Sequence, residues 1–214
     1  MALFYQHNIN ENTKLGIWKI EEAEEFFLSE VPQHRAITHP HKRLQHLAGR
    51  YLLKFLFPDF PYTEIVIADT RKPYLPYEQY HFSISHCGNY AAAIVSRKER
   101  VGIDIEIPSP KIKKISHKFL NIEEREQFNV QSSMLNSVSN DELLTVLWSA
   151  KEAVYKWWGW GSVDFSEHIL LQPFSKENEG SFQVVFVRMQ RNFLLNMQYK
   201  VFDDICLSWV NSAA

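Results

Sequence analysis

The sequence contains few cysteines and no long hydrophobic run. Among its 214 residues only Cys87 and Cys206 are cysteines, too few for a disulfide scaffold and at a spacing that matches no metal site. No apolar stretch approaches the roughly 18 residues of a transmembrane helix, and the N-terminus lacks the basic start and apolar run of a secretion signal. We therefore expect no membrane segment and a location in the reducing cytoplasm.

Glycine and net charge are also low. The chain has 7 glycines against 14% aromatic and 45% hydrophobic residues, a composition typical of a well-packed globular protein rather than a disordered one. Its formal net charge of −2 gives little support to nucleic-acid binding. The length allows one sizeable domain or two small halves.

Helical and strand patterns alternate along the chain. The stretch from His39 carries apolar residues at helical spacing, and a second long amphipathic pattern starts at Asp141, which we expect to be its N-cap. "HFSISHCGNYAAAIVS" predicts strand, turn and strand, and "ERVGIDIE" predicts a third strand. Mixed helices and antiparallel strands of this kind predict an α+β fold.

The strand "VGIDIE" carries two acids at alternate positions. Because side chains alternate across a strand, Asp104 and Glu106 face one side while Ile103 and Ile105 face the core. Two neighbouring carboxylates repel each other unless a proton or a cation intervenes. The simplest alternative is a solvated strand face, on which paired acids are common.

A second polar group lies in "WSAKEAVYK". On a helix, Ser149, Glu152 and Lys156 share one face. Glu152 and Lys156 alone would be an ordinary i,i+4 ion pair worth about 0.3–0.5 kcal/mol. Together with Asp104 and Glu106, however, Glu152 completes a set of three carboxylates, and carboxylate oxygens are ligands that suit Mg²⁺.

These two motifs, in this order and about 40–50 residues apart, resemble the paired signature of the 4′-phosphopantetheinyl transferases. Upstream, "RKPYLP" resembles the family's Gly-Lys-Pro segment and "FSISHC" its Phe-Asn-Ile-Ser-His-Ser segment. The resemblance runs from about Arg43 to Ile169 and is similar to the monomeric surfactin-synthetase-activating type. It implies a pseudo-twofold arrangement of two similar α+β halves, here 1–98 and 99–214, with the active site in the cleft between them.

The resemblance also implies a reaction. These enzymes move the 4′-phosphopantetheine arm of coenzyme A onto a serine of an apo acyl or peptidyl carrier protein, need Mg²⁺ and release adenosine 3′,5′-bisphosphate. We expect the protein to act as a monomer, without nucleic acid or membrane. The residues carried over are Asp104, Glu106 and Glu152 as metal ligands, Lys156 on the pyrophosphate, Lys72, Ser85 and His86 in the coenzyme A site, and Glu152 as the acceptor of the serine proton.

Several assignments stay open. The 3′-phosphate of coenzyme A would suit the basic helix with Arg43 and Arg50, and Lys151 would either flank the phosphates or be solvated. Arg71 replaces the glycine of Gly-Lys-Pro, and Trp160 stands where the family often has lysine. We expect Cys87 to be a packed thiol and Trp157, Trp158 and Trp160 to form core or cleft wall.

Two other functions remain. A non-catalytic homologue would bind coenzyme A or a carrier protein on the same fold. A metal-dependent nuclease would also use clustered acids and a lysine, but it predicts a basic surface that the net charge of −2 does not favour.

Overall fold

The computed structural model describes residues 3–31, 36–130 and 138–213, without the side chains of 138 and 139. The strands are β1 (Leu3–Asn8), β2 (Thr13–Lys19), β3 (Val66–Ile67), β4 (Pro73–Tyr74), β5 (His81–Cys87), β6 (Tyr90–Ser96), β7 (Glu99–Glu106), β8 (Ile169–Leu171), β9 (Glu179–Arg188), β10 (Arg191–Val201) and β11 (Cys206–Ala213). The α-helices are α1 (Glu24–Glu30), α2 (Pro40–Leu56), α3 (Lys111–Phe119), α4 (Ile122–Gln127), α5 (Val138–Trp158) and α6 (Phe165–His168), and a short 3₁₀ turn covers Tyr62–Glu64.

Two antiparallel sheets organise the chain. The first has the strand order β1-β2-β6-β5 and the second the order β7-β11-β10-β9-β8, while β3 and β4 form a separate small ribbon. The predicted α+β fold is confirmed. The first sheet uses strands before residue 97 and the second uses strands from residue 99 onward; a division into two domains at that point stays a prediction.

Helix α2 covers one face of the first sheet. It begins at Pro40, directly after His39, whose side chain accepts a hydrogen bond from the Lys42 backbone N–H at 3.4 Å. Proline suits this first helical position because its missing N–H would have no helical partner. The helix buries Leu47, Leu52 and other apolar residues against β6 and β2. The predicted helical periodicity from His39 is therefore confirmed.

The two sheets pack on each other through their inner faces. Ile103 and Ile105 of β7 are fully buried in a cluster that includes Leu15 and Ile17 of β2. The alternate positions of β7 point the other way, toward α5. Strand β7 is thus covered on both faces, and the alternative of a solvated acidic face is wrong.

Helix α5 covers the outer face of the second sheet through Val146, Leu147 and Ala150, all fully buried. Its approach to β7 is close at Gly102, where an added Cβ would lie 2.0 Å from the Ala153 carbonyl oxygen. The absence of a side chain at Gly102 therefore permits the contact between the two motifs. The chain is already helical at Val138, so Asp141 lies inside the helix and the prediction of Asp141 as N-cap is wrong.

The N-terminal strands and the segment from Ser132 are the remaining parts of the chain. The β1–β2 hairpin at the N-terminus pairs Asn8 with Lys14 and was not predicted. The polar stretch from Ser132 to Asp141 predicts a loop; 132–137 lie outside the described residues, and the rest belongs to α5. No helix within the described ranges is long and apolar enough to cross a membrane.

Candidate active site

Strands β5 and β7 and helix α5 bring three polar side chains into direct contact. Lys156 Nζ lies 2.6 Å from Asp104 Oδ1 and donates to Ser85 Oγ at 2.8 Å. Ser85 Oγ donates in turn to Asp104 Oδ1 at 2.7 Å. Asp104 is only 2% exposed, so the pairing with Lys156 offsets much of the cost of burying its charge. These contacts join residues that are 19 to 71 positions apart in the chain.

Two further carboxylates lie within electrostatic range. Burial, and next the charge of Asp104, raise the pKa of Glu106 to about 7. The same two causes, in the same order, raise the pKa of Glu152 to about 7. Trp148 donates from its indole N–H to Glu106 Oε1 at 3.2 Å and so holds that carboxylate beside α5. Asp104, Glu106 and Glu152 are called the carboxylate group below.

Glu152 and Lys156, both in the described part of the chain, do not form the ordinary i,i+4 ion pair with each other. Lys156 pairs with Asp104 instead. The position of Lys156 on α5 therefore places its side chain against β7. The interpretation of Glu152 and Lys156 as a surface helix pair is wrong.

The carboxylate group fits a cation by its chemistry. Asp104 Oδ2 is buried and has no hydrogen-bond partner in the described part of the protein, although buried polar atoms are normally satisfied. Burial, and next the charge of Asp104, raise the pKa values of Glu106 and Glu152, and a cation bound beside them would favour their charged forms. Within the described ranges, however, no three His, Cys, Asp or Glu side chains are arranged as a ready metal site.

The predicted coenzyme A residues are only partly brought together. Lys72 Nζ donates to the Lys156 carbonyl at 2.5 Å, and both residues line a cavity of about 210 Å³ between β5 and the end of α5. Ser85 belongs to the contacts with Asp104 described above. His86, the next residue on β5, is exposed.

The two arginines proposed for the 3′-phosphate lie on α2. Arg43 donates to Glu24 Oε1 at 2.7 Å and to the Ile37 carbonyl at 2.8 Å. Arg50 is buried and donates to His46 Nε2 at 3.0 Å. Arg43 is therefore held by an acid of the protein itself, and no contact among the described residues joins it to the carboxylate group.

Lys151 lies in neither of the two expected positions. Its side chain is fully buried, and Nζ donates to Glu124 Oε2 at 2.7 Å, to the Phe165 carbonyl at 2.9 Å and to the Ile169 carbonyl at 2.7 Å. Glu124 also accepts from the Leu171 backbone N–H at 2.8 Å. Lys151 thus anchors α5 to α4 and β8.

Backbone geometry shows the cost of one departure from the family pattern. Arg71, which stands where the related segment has glycine, adopts φ 66°. Glycine adopts this left-handed backbone conformation without strain, whereas other residues adopt it at a cost in free energy. The Cys87 thiol has a pKa raised by burial, which agrees with the predicted packed thiol.

Sequence reasoning missed two supporting residues. Trp148 holds Glu106, and its position four residues before Glu152 places it on the same helix face, so the spacing contained this signal. Gly102 allows the close approach of β7 and α5. A single glycine in a strand indicates close backbone contact, yet the partner cannot be read from the sequence.

Comparison with known proteins adds an independent finding. Residues 100–210 match the model of the 4′-phosphopantetheinyl transferase superfamily. The chain is similar to enterobactin synthase component D of Escherichia coli K12, with 38% identity over 79 residues, covering 36% of this chain and 37% of that protein. The counterpart in Salmonella typhi is 31% identical over 136 residues, 62% of this chain and 52% of that protein.

A third relative carries a different name. A putative 4′-phosphopantetheinyl transferase of Haemophilus influenzae is 32% identical over 136 residues, which cover 60% of this chain and 54% of that protein. The chain thus spans between about a third and a half of the lengths of these relatives.

Proposed function

The chain belongs to the 4′-phosphopantetheinyl transferase superfamily, and on that premise we propose that it transfers the 4′-phosphopantetheine arm of coenzyme A to a serine of an apo acyl or peptidyl carrier protein. The other product is adenosine 3′,5′-bisphosphate. The observation that carries the proposal is the pairing of Asp104 with Lys156, from two motifs that are distant in the sequence. Glu106 and Glu152 lie within electrostatic range of both residues.

The carboxylate group is the proposed holder of Mg²⁺. The unpartnered Oδ2 of Asp104 and the nearby carboxylates of Glu106 and Glu152 support this assignment, because carboxylate oxygens suit a hard divalent cation. When bound, Mg²⁺ would supply neutralisation of the charge that builds up on the pyrophosphate oxygens.

Glu152 is the proposed proton acceptor. In the reaction the serine oxygen of the carrier protein forms a bond to the phosphorus that bears the pantetheine arm, and the bond from that phosphorus to the bridging oxygen breaks. The serine proton goes to Glu152, and the electron pair of the broken bond goes to adenosine 3′,5′-bisphosphate. A carboxylate positioned within reach of the serine hydroxyl can accept its proton in the transition state.

Lys156 and Lys72 are the proposed phosphate ligands. Lys156 Nζ has three N–H donors and uses two on Asp104 and Ser85, which leaves one for a substrate oxygen. Lys72 lies beside it through its bond to the Lys156 carbonyl. The cavity of about 210 Å³ that both line is the proposed place for part of coenzyme A. Ser85 and His86 do not line it but follow its lining residue Ile84 on β5.

The monomeric type and the cytoplasmic location are part of the same proposal. The two sheets, each covered by one long helix, support the expected arrangement in which one chain supplies both walls of the cleft. Arg43 is retained as a 3′-phosphate ligand only if Glu24 releases it, since the two side chains are paired at 2.7 Å.

The test is transfer measured by mass spectrometry. The protein is incubated with coenzyme A, Mg²⁺ and an apo carrier protein, and the carrier is expected to gain the mass of one phosphopantetheine group. Glu152→Gln should reduce the rate by at least about 10²-fold, the usual contribution of a positioned acid or base. The exposed Glu167 gives the matched control Glu167→Gln, which should transfer at the normal rate.

The outcome that contradicts the proposal is equally specific. Coenzyme A binding without any transfer would favour the non-catalytic homologue. Near-normal transfer by Glu152→Gln would remove Glu152 from its assigned role.

A further inference from the structure

A second cavity of the described residues adjoins the one beside the carboxylate group. It has a volume of about 380 Å³ and is lined by β4, the start of β5, Arg100 of β7 and the end of α5. Asp104, Glu106, Glu152 and Lys156 do not line it. Its size falls at the lower end of the roughly 300–1,000 Å³ of small-molecule pockets. It is called the aromatic cavity below.

Several aromatic side chains line the aromatic cavity. Tyr80, Phe82 and Trp158 are among them and are buried. Trp160 lies 6.3 Å from Trp158 between ring centroids and is 66% exposed. A large aromatic side chain that remains exposed at the edge of a cavity is a feature of ligand and partner sites. Aromatic side chains in the lining of a cavity favour a planar ligand.

The polar groups of the cavity are mainly cationic. Lys72 and Arg100 both line it, and no Asp or Glu in the described ranges lies within ion-pair distance of either. Burial, and next the positive charge of Arg100, lower the pKa of Lys72 to about 8. The acid of the lining is Glu78, which is exposed. Two close cations without an acid between them favour the binding of an anion.

A third observation points to a hydrogen-bond acceptor. Trp158 lines the cavity and is 7% exposed, and its indole N–H has no acceptor among the residues that the structure describes. A buried donor without a partner costs about 1–3 kcal/mol. A ligand oxygen that accepts from this N–H would recover that cost.

We propose that the aromatic cavity is a second ligand site that binds a small planar aromatic anion, a ring that bears a carboxylate or a phosphate. The ring packs against Tyr80, Phe82 and Trp158, and the anionic group lies against Arg100, because Lys72 is assigned to the donor site. The proposal does not rest on the transfer reaction, because the site contains no member of the carboxylate group, although its cavity adjoins the proposed donor cavity and shares four lining residues with it. Lys72 connects the two regions, since its Nζ donates to the Lys156 carbonyl.

The probe is 1-naphthoate, with 1-naphthamide as its uncharged counterpart. Binding to the full chain is followed by tryptophan fluorescence and by calorimetry, without carrier protein or turnover. We expect naphthoate to bind at one equivalent and naphthamide to bind at least about tenfold more weakly, because a charge-assisted hydrogen bond contributes about 1.5–3 kcal/mol.

Two variants and one control locate the probe. Arg100→Gln should weaken naphthoate binding at least about tenfold. Trp160→Ala, which removes an exposed ring, should weaken the binding of both probes. Lys98→Gln removes the same charge from an exposed position two residues from Arg100 and should leave both affinities unchanged. Circular dichroism checks that each variant is folded.

Saturating coenzyme A distinguishes this site from the proposed donor site. We expect it to change naphthoate affinity by less than about threefold. Displacement of one naphthoate by one coenzyme A would assign the cavity to the donor and overturn the proposal. No binding up to about 10 mM, or equal affinities in wild type, Arg100→Gln and Trp160→Ala, would overturn it as well. Loss of transfer activity with intact naphthoate binding would contradict only the proposed function.

Discussion

Replacing Lys151 by methionine should destabilise the protein strongly. The change removes the partner of Glu124, which is 4% exposed at its side chain, and three hydrogen bonds of 2.7 to 2.9 Å. Glu124 would keep the backbone donors of Leu171 and Asn121 but not a cation. Breaking a buried pair by removing one partner costs about 3–5 kcal/mol, and we expect that loss in the free energy of unfolding.

The assay is urea unfolding followed by tryptophan fluorescence. Lys118, exposed on α3, provides the control Lys118→Met, which should change stability by less than about 0.5 kcal/mol. The double variant Lys151→Met with Glu124→Gln should recover part of the loss, because no buried charge remains unpaired. A loss below about 1 kcal/mol in Lys151→Met would refute the interpretation of Lys151 as a buried anchor.

Three further predictions concern single positions. Arg71→Gly should raise the free energy of unfolding by about 0.5–1 kcal/mol in the same assay, because φ 66° suits glycine; a loss would contradict the assigned strain. Gly102→Ala should lower the free energy of unfolding by roughly 3 kcal/mol or more, because the added Cβ meets the Ala153 carbonyl. The control Gly16→Ala, with neighbours no closer than 3.4 Å, should cost far less. Equal losses in the two variants would contradict the close approach of β7 and α5. Mg²⁺ at about 100 times its Kd should stabilise the wild type by about 2.7 kcal/mol in thermal unfolding and should not stabilise Asp104→Asn, and equal stabilisation of both would place the ion elsewhere.

Local sequence patterns predicted most of the helices and strands that the sequence analysis named. The apolar spacing from His39 predicted α2, and alternation in "VGIDIE" placed Asp104 and Glu106 on one side of β7. These features depend on neighbours within one or two turns, and a sequence displays them directly. The resemblance to a known family then joined the two motifs, and the structure brings Asp104 and Lys156 to 2.6 Å.

Long-range burial could not be predicted in the same way. Lys151 looks like an ordinary helix lysine, and only the positions of α4, α6 and β8 show that its Nζ meets Glu124 and two carbonyls. Strand β7 carries acids on one side, yet both of its faces are covered because α5 approaches at Gly102. Such outcomes depend on which distant elements pack together, and one strand or helix does not encode its partner.

The most direct test of the central claim is a crystal structure of the protein with coenzyme A and Mg²⁺. We predict one ion bound by oxygen atoms of Asp104, Glu106 and Glu152, with the pyrophosphate within reach of Lys156. Carboxylates that point away from one another, with the pyrophosphate far from Lys156 and no ion among them, would contradict the account.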